Sequence, residues 1–211
     1  MLRQITLYLS LLAATGCRAQ TNPAAGNSQP LADTVQNYRA LLTRLEQQSA
    51  DKTYDYLGTI QSTIDFGTKT NNLAEYPDGL IPGLPLERAE KAMKKLSGKN
   101  ETVITQDTIT LLIDYPLTRE TRLKVNSQDG FTRAELFQTI SQAYYRLFDE
   151  EEASATVKTI PAAQRTAVYN RNQTNGKYGI WGHDIADLIL MAADVYQTPQ
   201  GEIILSLNIE S

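Results

Sequence analysis

Residues 131–152, FTRAELFQTISQAYYRLFDEEE, decide how the rest of the chain is read. Thr132 and Glu135 stand at the S/T-x-x-E spacing of a capping box, and Phe131 and Leu136 occupy the two positions of a hydrophobic staple around that cap. Beyond them Leu136, Phe137, Ile140, Ala143, Tyr144, Leu147 and Phe148 recur at three- and four-residue spacing, which is one apolar face of a helix. The helix closes on Asp149-Glu150-Glu151-Glu152, at the end where the helix dipole disfavours anions, so the run is expected to fray into solvent or meet a cation. Folding of that run onto calcium, with Asp129 or Asp194, has no EF-hand spacing behind it, and no metal site is expected.

On either side of this helix the apolar period falls to two. Ile109, Leu111, Ile113 and Tyr115 alternate with Thr108, Thr110, Leu112 and Asp114, and Leu123 and Val125 alternate with Arg122, Lys124 and Asn126. Two strands joined near Thr118–Glu120 follow, with a short strand at Val103–Thr105 before them. After the helix, 188–197 and 202–209 read as a hairpin whose Thr198-Pro199-Gln200-Gly201 link suits a type I turn with glycine in the left-handed position. The expected fold class is therefore α+β: a ββαββ core over 101–211, with a roughly four-stranded antiparallel sheet and one long helix across it. Leu112, Leu188, Leu190 and Ile204 would then form the second sheet face, covered by N-terminal helices or by a partner.

Residues 31–100 are expected to be those N-terminal helices. Leu31, Val35, Tyr38, Leu41, Leu42 and Leu45 mark an amphipathic helix to Ala50, and Tyr54, Leu57, Ile60 and Ile64 suggest a second over 52–72 despite many threonines, Gly58 and Gly67. Residues 71–85, with three prolines and two glycines, make a connection. Pro85 sits at a first helical position, Leu86, Ala89, Met93 and Leu96 follow as a stripe, and Glu87–Lys91 and Glu90–Lys94 are spaced to pair.

The chain begins with an export address. Arg3 precedes an apolar run from Ile5 to Ala14, too short to span a bilayer, so residues 1–16 read as a signal peptide. The single cysteine, Cys17, follows Ala14-Thr15-Gly16. These four residues resemble the lipobox of bacterial lipoproteins, although Ala14 stands where that pattern most often has Leu. The resemblance implies lipidation at Cys17 and a membrane anchor, with 17–30 as a flexible tether; the alternative is cleavage after Ala19 and release as a soluble periplasmic or secreted protein. With one cysteine there is no internal disulfide.

A formal charge of -4 and a pI near 5.1 give no electrostatic footprint for nucleic acid. One histidine and one cysteine cannot build a zinc site, and no Walker A, G-x-S-x-G or G-x-G-x-x-G sequence is present, so no cofactor is implied. Chemistry is cheapest in 169–188, which holds the only Trp, the only His and three of the twelve glycines. Arg171, Asn172, Tyr178, Trp181 and His183 combine aromatic faces with planar hydrogen-bonding groups, as a site for a polar ligand requires; the same aromatics would equally serve as apolar anchors of a long loop. His183 beside Asp184 and Asp187 also admits a general base with a carboxylate partner. The expectation is an exported, lipid-anchored envelope protein with a non-enzymatic binding or accessory domain for a polar ligand or envelope protein. The alternative is a hydrolase using His183 with Asp184 or Asp187.

Overall fold

The computed structural model describes residues 28–165 and 171–211, with side chains from residue 35 onward. The signal peptide, Cys17 and most of the tether lie outside the described residues, as do Tyr169 and Asn170. Helix α1 is Ser28–Ala50, followed by β1 (Thr59–Asp65), β2 (Gly67–Lys69), β3 (Leu80–Pro82), β4 (Leu84–Pro85) and α2 (Ala89–Met93). Then come β5 (Thr102–Ile104), β6 (Thr108–Ile113), β7 (Thr121–Asn126), β8 (Phe131–Thr132), α3 (Arg133–Ser154), β9 (Ile189–Gln197) and β10 (Ile203–Glu210). Two compact units divide within α1, residues 1–41 and residues 42–211, and the second holds every described strand.

This unit is α+β, a multi-stranded sheet with one long helix. The sheet has six strands in the order β1-β9-β10-β6-β7, with β4 also paired to β9. It is mixed, because β10 runs parallel to β6 while the other pairs are antiparallel. An all-antiparallel sheet of about four strands is thus corrected. The two hairpins were legible, but the strand that joins them is the last to arrive, and α3 supplies the crossover a parallel pair needs.

The expected helix over 52–72 is corrected too. Four of the seven residues of β1 are β-branched, a composition that favours a pleated surface over a helix. Gly58, at φ 126, breaks the chain between a 3-10 turn at Asp55–Leu57 and β1, and a side chain there would strike the Gln197 carbonyl. The helix expected from Pro85 shrinks to α2, since Pro85 pairs with Ile189 in β4 and Arg88 takes a left-handed φ of 57 at the N-cap.

Helix α3 forms as its sequence dictates. The Thr132 hydroxyl accepts from the Glu135 amide at 3.2 Å, and the Glu135 carboxylate accepts from the Thr132 amide at 2.9 Å. The Thr132 amide and the Thr132 hydroxyl both donate to that carboxylate and hold it below its ordinary range. Thr132→Ala is expected to lower stability by about 1–2 kcal/mol in urea unfolding, the usual worth of such a cap. Leu136, Phe137, Ile140, Tyr144 and Leu147 are buried in one cluster with Ile109, Leu111, Ile113, Leu205 and Leu207 of the sheet.

The opposite sheet face carries a smaller cluster, in which Leu112 and Ile204 are covered by Leu57 with Tyr54 and Tyr196 packed alongside. Leu188 and Leu190, expected on that face, belong to the main core. All four are at most 4 % exposed: Leu112 and Ile204 are closed off by the segment following α1, and Leu188 and Leu190 by the main core, so the apolar patch is not left open.

Candidate functional site

The acidic end of α3 does not fray; it organises the loop that follows. Glu151 is fully buried, and its carboxylate accepts from the Thr174 hydroxyl at 2.6 Å and from the amides of Gly176 (2.8 Å), Tyr178 (2.7 Å) and Gly179 (3.1 Å). Burial pushes its pKa up, but those four donors outweigh it and the net shift is downward. Glycine is required at 176, where a Cβ would lie 2.5 Å from the Glu151 carbonyl oxygen. Glu150 accepts from Lys177, the Tyr178 hydroxyl and Arg146, which together lower its pKa to about 2. Glu152 accepts from the Thr159 amide and hydroxyl.

The residues expected to face a ligand are consequently spent on the protein itself. Trp181 is 2 % exposed, its ring edge-on to Tyr115 at 5.2 Å and close to His183 at 5.5 Å. Tyr178 is 3 % exposed. Arg171 is buried, with its guanidinium 5.1 Å over the Phe148 ring and a hydrogen bond to the Thr159 hydroxyl. Asn172 braces backbone, accepting from the Ile160 amide and donating to the Lys158 carbonyl. The loop is anchored by these side chains, and neither Tyr178 nor Trp181 offers its face to solvent.

His183 is brought to a different carboxylate from those adjacent in sequence. Asp184 is held in a fork by Arg165 (2.5 and 3.0 Å), and Asp187 accepts from the Asp184 amide at 2.8 Å. His183 Nε2 lies instead 2.8 Å from Glu46, 3.0 Å from the Tyr115 hydroxyl and 3.4 Å from the Ser211 hydroxyl. Serine, histidine and glutamate are therefore neighbours without being a catalytic triad. A triad needs the acid on one ring nitrogen and the nucleophile on the other. Here both crowd Nε2, while the buried Nδ1 meets no partner among the described residues.

Glu46, Tyr115 and Ser211 of this cluster also line a cleft of about 500 Å³ on the outer sheet face, together with Lys52, Tyr54, Asp114, Asp194, Ser206 and Asn208 among others, whereas His183 does not. Asp194 and Ser206 are register partners on β9 and β10, so their side chains share this face with Leu112. Asp114 is 4 % exposed and accepts from Lys52 Nζ at 2.8 Å and from the Tyr54 hydroxyl at 2.7 Å. Asp194 accepts from Thr63 at 2.6 Å. Burial pushes the Tyr54 and Tyr115 hydroxyls well above their ordinary value, so both are neutral donors and neither can act as a base at ordinary pH. Among the described residues, no group of three His, Cys, Asp or Glu side chains could hold a metal ion.

Sequence reasoning missed Asp114, Lys52, Tyr54 and Glu46. Asp114 was visible only as a strand residue out of phase with the apolar face, and Glu46 comes to His183 across 137 positions. No known protein family, curated protein or solved structure matches the chain. No helix among the described residues is long and apolar enough to cross a membrane.

Proposed function

We propose that this is an exported envelope protein, lipid-anchored through Cys17, whose α+β domain is a non-enzymatic binding module taking a small polar ligand in the cleft on the outer sheet face. The anchor rests on the apolar segment and the Ala14-Thr15-Gly16-Cys17 sequence. The binding reading rests on one observation: polar groups held rigidly by the core, above all Asp114 with Tyr54 and the Asp194–Ser206 pair, converge on a concavity large enough for a small molecule. The cleft replaces the Arg171–His183 loop as the ligand site, because that loop's aromatics are buried. Hydrolysis through His183 gains nothing from a ring whose second nitrogen has no orienting partner among the described residues.

Intact mass of the mature chain tests the anchor: a diacylglyceryl addition on Cys17 is expected, and an unmodified chain starting at Gln20 would remove it. A thermal-shift screen of polar metabolites tests the cleft. A ligand at a hundred times its dissociation constant adds about 2.7 kcal/mol, a shift of several degrees. Asp114→Asn is expected to weaken any hit at least about tenfold, because a charge-assisted partner is lost. Undiminished shifts in that variant would take the ligand out of the cleft.

A further inference from the structure

A second concavity, unrelated to the cleft, lies between α2 and α3, about 430 Å³ and lined by Arg88, Lys91, Lys94, Gln138, Gln142 and Tyr145 with Glu90 and the buried Ser141. Three cations against one anion line it, in a chain whose formal charge is -4. The lysines are free of the helical ion pairs their spacing suggests. Because α2 begins only at Ala89, Glu87 falls outside the helix and pairs with Arg88 instead. Among the described residues the side chains of Lys91, Lys94, Gln138, Gln142 and Tyr145 make no hydrogen bond or ion pair, and all five residues are exposed.

The facing wall is equally specific in shape. Gln138, Gln142 and Tyr145 follow one another at four and three residues along α3, so they form a single stripe, with Tyr145 exposing 42 % of its surface. Ser141 is pinned beneath them by its hydrogen bond to the Leu86 carbonyl at 2.8 Å. Arg88, one rim of the groove, is the one described non-glycine residue with positive φ, a strained conformation of the kind that collects at ligand clamps.

We infer that the α2–α3 groove binds an anionic sugar, a carboxylated or sulfated saccharide unit. The cations of Arg88, Lys91 and Lys94 take its acidic group, the Gln138 and Gln142 amides hydrogen-bond its hydroxyls, and its apolar face lies on the Tyr145 ring. The Asp114 cleft plays no part.

Titration calorimetry on the full mature chain tests this with trigalacturonate, maltotriose and inorganic phosphate as probes. Trigalacturonate is expected to bind at least about tenfold more tightly than either of the others. Lys91→Gln/Lys94→Gln and Tyr145→Ala, all at exposed positions, should each lower that affinity about tenfold, and Asp114→Asn should leave it unchanged. Equal binding of maltotriose overturns the charge requirement, and equal binding of phosphate overturns the sugar. Affinity that falls with the lysines but survives Tyr145→Ala marks plain polyanion adsorption and also overturns it. Absence of binding at millimolar trigalacturonate overturns it outright.

Discussion

Replacing Glu151 with alanine is expected to cost about 4 kcal/mol in urea unfolding, a large part of the stability of a domain this size. The carboxylate takes one hydroxyl and three amide donors in a fully buried position, and each stranded donor forfeits about 1–3 kcal/mol. Glu151→Gln should not rescue it, since the new amide would turn hydrogens toward amides that already donate. The same acidic run sets an acid limit. The pKa values of Glu150, Glu151 and Glu152 are all depressed from 4.5, Glu150 to about 2. Depressed carboxyls stabilise the fold above the unfolded value and lose that contribution as pH falls through the folded ones. Unfolding free energy should therefore decline between about pH 4.5 and pH 2, and Glu150→Gln should flatten the decline; a flat profile in the wild type would refute the clamp.

Trp181→Ala is the second large effect, about 4 kcal/mol, in the range for deleting a fully buried aromatic side chain. Trp181 heads the largest fully buried side chains and packs edge-on against Tyr115. As the only tryptophan, it should emit at short wavelength in the folded chain and shift to the red in urea, giving both experiments their signal. A ligand response lost in this variant would report a damaged fold rather than a missing contact. Asp114→Asn is the informative substitution for binding.

What was legible in the sequence was local. The cap at Thr132, the α3 face, the 108–126 hairpin and the terminal hairpin each rest on neighbours within a few residues, and each forms. What failed needed distant pairing. Residues 59–65 carry no alternation, because this edge strand buries only Ile64 and exposes its other six residues, so the helical spacing of Tyr54, Leu57 and Ile60 misled. The cations expected for the acidic run are met at Glu150 by Lys177 and Arg146, but the Glu151 clamp was illegible because its donors, Thr174 to Gly179, sit in a segment without period. The cleft was illegible for the same reason: Lys52 and Tyr54 come to Asp114 across 62 and 60 positions.

The order β9-β10-β6 has a bearing on how the sheet assembles. Strand β10, residues 203–210, sits in the middle of the sheet and carries the pairing of both its neighbours. A chain emerging from the ribosome N-terminus first therefore presents β6 and β7 long before the strand that joins them to β9. Until residue 203 is out, the β6–β7 hairpin has no partner for its open edge, so the sheet closes only when nearly the whole chain is available, and the pairing that joins its halves is long-range.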